Sequence, residues 1–216
     1  MNVNSLFGAT PPIVKNLIIV NVLMFMITLV KETFMISTFA LFYPSSPYFK
    51  VIQIVSHIFM HADFFHIFFN MYILWMFGCT IERIWGRRKF LTYYMITGLG
   101  AAGLYLLSQW VRIEYVADTN LYQILASPCL GASGAVYGVL LAFGMMYPQA
   151  ELQLILPPVR LKAIWLVVIC CGIEIISGLR QSDGIAHFAH IGGMLFGFLI
   201  IQYWKYRGTL FRNDDY

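Results

Sequence analysis

The sequence predicts an all-α, polytopic membrane protein: six transmembrane helices, the short fourth one central and carrying a serine at its start. Three observations lead there. Of 216 residues, 60% are hydrophobic and only 11% charged, against about 25% charged in a soluble domain. Mean hydropathy, at +0.73, points the same way. The apolar residues fall into six runs, near 14–31, 62–81, 90–110, 131–147, 161–179 and 185–204. The fourth begins in GASGAVYG and stops at Pro148. It gives roughly 22 Å of helix at ~1.5 Å per residue, whereas a bilayer core is roughly 30 Å thick. One end must therefore stop inside the hydrocarbon depth, against protein or a water-filled cavity. Pro148 and Glu151 mark one end as surface, so the deep end is the one with Ser133.

The expected organisation is a short cytoplasmic segment at 1–13, a six-span domain at 14–204 and a cytoplasmic tail at 205–216. The first thirteen residues lack the charged start and small-residue cleavage site of a signal peptide, so the first span is expected to stay in the protein. With six spans both termini share a side. Ten of the fourteen basic residues fall on it and four, Lys31, Lys50, Arg112 and Arg180, on the other. Positive charge stays in the cytoplasm. The expected location is a bacterial plasma membrane, with both termini cytoplasmic and the serine end opening to the outer side. Nothing in the charge pattern points to a nucleic-acid partner. The four cysteines read as small apolar fillers rather than a disulfide framework.

In the first span, Asn16 and Asn21 read as structural polar groups, Asn21 deep enough to bond a neighbouring helix. Residues 32–56 are aromatic and apolar but broken by Pro44 and Pro47, which suits a connection half sunk in the outer leaflet. His57, His61, His66 and Asn70 lie at or near the outer end of the second span; His66 and Asn70, four apart, share a helix face. Glu82 beside Arg83 reads as a local ion pair at the cytoplasmic corner. The third span offers Gly98, Ala102 and Gly103 for close helix contact. Arg112 to Asn120 reads as an outer loop.

The fifth span carries Glu174, an acid expected to snorkel to the surface or pair with a neighbour, with a proton-carrying role as a further reading. The stretch 177–184 reads as a loop able to act as a lid. The sixth span contains His187, His190 and a small face of Ala189, Gly193 and Gly197, four apart. The serine helix has its own pair, Gly134 and Gly138. These two glycine faces are expected to pack on each other. That would bring a histidine within the ~2.6–3.2 Å a general base needs.

Five histidines on the level of one serine point to nucleophilic chemistry, because ionisable groups are costly inside a membrane. His190 is the best base for Ser133. Tyr137, four residues after Ser133, is placed to stack under its ring. An acidic third member is missing: Asp183 lies about 10 Å up the same helix and reads as its N-cap. The expectation is a Ser133–His190 dyad. The Ser133 amide at a helix start and the His66 and Asn70 side chains are the natural donors to an oxyanion.

On these residues the chain resembles the rhomboid intramembrane serine proteases over nearly its whole length. Three motifs carry the resemblance: His-xxx-Asn at His66 and Asn70, Gly-x-Ser-Gly at Gly131 to Gly134, and Ala-His-xx-Gly-xxx-Gly at Ala189, His190, Gly193 and Gly197. The resemblance implies Ser133 as nucleophile and His190 as base. It implies an oxyanion hole of His66, Asn70 and the Ser133 amide, with Tyr137 beneath the imidazole. It further implies substrates that are transmembrane segments of other proteins in the bilayer, cut near the outer leaflet. These have a small residue before the scissile bond, and no metal or cofactor takes part.

The chain departs from the family pattern in the first outer loop, where Ile52 and Gln53 stand in place of a Trp-Arg pair. That leaves the loop's anchoring open. The fifth span and the 177–184 stretch are the candidate gates, with Phe69 a neighbour. Two other readings stay open: a zinc hydrolase, in which His57 and His61 share a metal, and a rhomboid-like pseudoprotease that binds membrane helices. A transporter lacks support, because no inverted repeat appears.

Overall fold

The computed structural model describes residues 10–116, 120–153, 158–180 and 187–211. Helix α1, Pro12–Val30, starts on a proline at its first position, where the missing N–H costs nothing. Its next free amides, Ile13 and Val14, donate to the two carboxylate oxygens of Glu82 at 2.9 and 2.8 Å. The buried acid therefore caps a helix from a distant part of the chain, and its charge suits the positive end of the helix. The ion pair expected at this corner gives no hint of that role. Asn21 is fully buried and its amide donates to Leu17 O of its own helix.

The 32–56 connection is more ordered than its composition suggests. It contains α2, Glu32–Phe39, and α3, Gln53–Ser56, followed by a 3₁₀ turn at His57–Phe59. Gln53 is fully buried. Its carbonyl accepts from Phe42 N and Lys50 N, and its amide donates to Ser37 O and Tyr48 O. This one side chain ties together the loop for which the family's Trp-Arg pair is missing. Leu41 and Cys129 exchange a pair of backbone hydrogen bonds of 2.8 Å, fastening the connection to the segment before the serine.

Helix α4, Phe64–Trp85, has a π-helical stretch at Leu74–Gly78. Helix α5, Arg87–Tyr115, runs 29 residues, past both ends of the expected 90–110 span. Much of the expected outer loop from Arg112 is thus helical, and Leu121–Ala126 forms a short helix, α6. At the other end Lys89 is buried. Its ammonium bonds Thr209 O and lies 4.6 Å from the centre of the Trp204 ring.

The serine helix α7, Ser133–Met146, is followed by an antiparallel pair, β1, Glu151–Gln153, with β2, Arg160–Lys162. Then come α8, Ala163–Arg180, and α9, His187–Tyr206. Residues 177–180 belong to α8, so that half of the expected lid is helix; residues 181–184, including Asp183, lie outside the described residues.

Among the described residues four helices, α1, α4, α5 and α8, are long and apolar enough to cross a membrane, and α7 is a shorter apolar helix. Helix α7 packs against α4, α5, α8 and α9, and nine of its fourteen residues are buried. That enclosure explains its sequence. Gly, Ala and Val line a helix that neighbours approach on every side, and small residues let backbones come close. By contrast α8 is mostly unburied and carries large apolar side chains such as Trp165, Ile173 and Ile176 outward.

Candidate active site

Glycine brings the two halves of the site together. Gly193 of α9 lies on the backbone of Gly134 in α7, so close that a Cβ at Gly193 would overlap the Gly134 carbonyl. The rest of the expected glycine seam goes elsewhere. Gly138 faces Thr97, and Gly197 faces the Tyr93 hydroxyl, both on α5. The two small faces thus meet at one crossing point and then diverge around the long helix. On α5 itself, Gly98 meets Ile58, whereas Gly103 faces open space.

That crossing sets His190 Nε2 2.8 Å from Ser133 Oγ. The Tyr137 ring stacks on the His190 ring at 4.4 Å between centroids and 10° between planes. Ser133 opens α7, so its backbone N–H has no partner within the helix. Before it, Gly131 has φ of +133°, and a Cβ there would come within 2.8 Å of His66 Nε2; both the backbone and the space require glycine. The Gly131 amide donates to His57 O at 2.9 Å, which pins the turn that presents the serine.

A cavity of about 450 Å³ opens over this point. Its lining includes Ser133, His190, His66, His57, Asp63 and Gly131, enough polar groups to hold several waters, each needing ~30 Å³. Asn70 is buried one turn below His66, donates to His66 O at 2.8 Å, and is not among the lining residues. His61 lies edge-on to His66 at 5.0 Å. Phe69 is exposed on α4.

Of the five histidines, His190 meets the serine, while His57 and His66 line the cavity. His57 is buried with Nδ1 2.9 Å from Gln53 O, and burial lowers its pKa to about 4. His61 is buried with neither ring nitrogen partnered, and burial lowers its pKa to about 3. Both are neutral packing residues at pH 7. Among the described residues the ligand atoms that converge are instead those of Glu174, His187 and His190, within 4.8 Å of one another.

An acid does stand at the site, Glu174: of the two expectations for it, pairing with a neighbour holds and snorkelling does not, since it is 5% exposed. Its Oε2 lies 2.6 Å from His187 Nδ1 and 2.9 Å from His190 Nδ1, and its Oε1 accepts from the Tyr137 hydroxyl. The sequence left these partners unnamed because Glu174 sits on a different helix from both histidines. The one available signal was its isolation, a lone acid in an apolar span, where an ionisable group needs a partner.

The Rhomboid domain family matches residues 48–207. The chain is 32% identical over 180 residues to the presenilin-associated rhomboid-like protein, mitochondrial, of Rattus norvegicus, which covers 78% of this chain and 44% of that protein. The human protein of the same name is 30% identical over 208 residues, 91% of this chain and 51% of that one. Rhomboid protein 1, mitochondrial, of Saccharomyces cerevisiae is 31% identical over 150 residues, 68% of this chain and 40% of that one. The chain spans about half the length of the curated relatives it matches. These names overturn the expectation of a bacterial plasma membrane, which rested on charge asymmetry alone; that asymmetry orients a chain without naming its compartment. A family match over most of the chain, together with rhomboid relatives in animals and yeast, makes this protein a member of the rhomboid family.

Proposed function

We propose that the chain is an intramembrane serine endopeptidase acting on transmembrane segments of other membrane proteins. Six helices cross or enter the bilayer in this reading, and the relatives' names favour a mitochondrial membrane. The observation that carries it is the 2.8 Å approach of His190 Nε2 to Ser133 Oγ, within range for a base and its nucleophile. The stacked Tyr137 holds the imidazole face-on and restricts its rotation.

Catalysis then runs as acyl transfer. Ser133 Oγ attacks the scissile carbonyl while its proton passes to His190 Nε2, forming the C–O bond and an oxyanion. In this reading the Ser133 N–H and the His66 ring donate to that oxygen. Asn70 keeps a second amide hydrogen beyond the one given to His66 O, and its reach toward the oxyanion belongs to the reacting state. Collapse breaks the C–N bond, and the leaving amine takes the proton from Nε2. Water from the cavity, deprotonated by the same nitrogen, attacks the ester and releases the second product, returning the proton to Ser133.

The test is cleavage of a single-span substrate by the purified protein in detergent. Wild type should cut it, and Ser133→Ala and His190→Ala should not while remaining folded. Cutting by Ser133→Ala would remove the nucleophile assignment. A second reading has one observation in its favour, the convergence of Glu174, His187 and His190, a set able to hold zinc. Loss of cleavage on chelation, restored by zinc, would select it.

A further inference from the structure

We propose that Glu174 is the positioning residue of the Ser133–His190 pair, so that the site is a line of Glu174, His190 and Ser133 rather than a dyad. The inference rests on the protease reading above and adds a third group to it. Its carboxylate stands behind the imidazole, 2.9 Å from Nδ1, while Nε2 faces the serine. A histidine can accept the serine proton at Nε2 only if its own proton sits on Nδ1. An acceptor-only group at Nδ1 selects that tautomer and stabilises the imidazolium formed during attack.

The surroundings of Glu174 make little sense without such a role. A carboxylate on a lipid-facing helix is expensive, and this one is recovered from three directions. Tyr137 donates from α7, His187 donates from α9 at 2.6 Å, and His190 approaches from the next turn of α9. One of those donors, Tyr137, also sets the imidazole's position by stacking on it. His187 stands at 88° to His190 with 6.4 Å between ring centres, close enough to share Oε2 yet turned so that it does not compete for the serine.

The His190 contact is at ion-pair distance without the alignment of a hydrogen bond. Catalytic contacts of this kind are often loose before substrate binds and tighten in the reacting complex. A small rotation of the ring on its Tyr137 platform would align Nδ1–H with Oε2.

The experiment is the rate of labelling of the full chain in detergent by a fluorophosphonate, resolved into kinact and KI. Glu174→Gln keeps the shape and the acceptor for Tyr137 but presents an N–H toward Nδ1, favouring the wrong tautomer. Its kinact should fall by ~10³–10⁴-fold, the scale seen when a serine-protease acid is made an amide, with KI unchanged. Glu174→Asp, which keeps the charge, should recover at least tenfold of that loss. Should Glu174→Gln unfold, Glu174→Ala is compared with Glu174→Asp: a Glu174→Ala kinact at least tenfold below that of Glu174→Asp, at unchanged KI, supports the proposal, and equal kinact in the two overturns it. A Glu174→Gln kinact within threefold of wild type also overturns it. So does a Glu174→Asp protein no faster than Glu174→Gln, which marks a purely structural acid. Loss of wild-type labelling on chelation would reassign the three side chains to a metal. Failure of wild type itself to be labelled would instead strike the protease reading.

Discussion

Gly193 rests on the carbonyl of Gly134, and that contact, three residues after His190 and one after Ser133, sets the separation of the two side chains. Gly193→Ala should therefore act on chemistry before it acts on folding. The added methyl has backbone on its far side, so the helices must separate. Overpacking of this kind costs about 1–3 kcal/mol. A displacement of ~1 Å at a reacting pair loses on the order of 10² in rate. The expected result is a folded protein with fluorophosphonate labelling down at least a hundredfold, measured beside its thermal unfolding in detergent.

His66 and Asn70 should contribute to rate without contributing to nucleophile identity. Removing one oxyanion donor costs ~10²–10³ in kcat. His66→Ala is expected to show that loss with KM little changed, because His66 lines the cavity beside the Gly131 turn. Asn70→Ala removes the donor to His66 O and should slow turnover as well. Steady-state cleavage of a single-span substrate checks both. Unchanged kcat in either variant removes that side chain from the oxyanion hole.

Gln53 should prove a stability residue. Gln53→Leu leaves two backbone N–H groups and two carbonyls of a buried loop without their partner, and orphaned groups cost about 1–3 kcal/mol each where water cannot replace the lost bond. A fall in the thermal midpoint of roughly 10 °C or more is expected, with the labelling rate of the folded fraction unchanged. Loss of labelling at an unchanged midpoint would contradict the assignment.

Stability should fall in mild acid. His57 and His61 are neutral when folded, with pKa values lowered by burial from 6.5 to about 4 and about 3, so the unfolded chain binds more protons below pH 6.5. Their contribution is complete above pH 6.5 and is lost as pH falls from there toward 4 and 3. Thermal midpoints measured from pH 7.5 to 4.5 should drop steadily below 6.5. His61→Leu, which removes two ring nitrogens with no hydrogen-bond partner, should flatten the drop and raise stability at pH 5.

Much of this architecture was readable from composition. The apolar runs located the principal helices, and the shortness of the fourth picked out Ser133. Small residues at spacing four located the crossing at Gly134 and Gly193. Spacing does not say which neighbour each glycine meets, so Gly138 and Gly197 turned out to face α5. Tertiary capping was invisible as well: Glu82 serves a helix 68 residues away in sequence, and Glu174 meets histidines across a different helix pair. Hydropathy describes how a residue meets solvent and lipid, whereas a buried charge is placed by its partners. The Gln53 anchor escaped notice for the same reason, since one amide serving four backbone groups leaves no trace in periodicity.

The most direct test of the account is fluorophosphonate labelling of the purified full chain, with the modified residue identified by mass spectrometry. The account predicts a single adduct on Ser133, absent from Ser133→Ala and reduced at least a hundredfold in His190→Ala. An adduct elsewhere, or equal labelling of the His190→Ala protein, would contradict it.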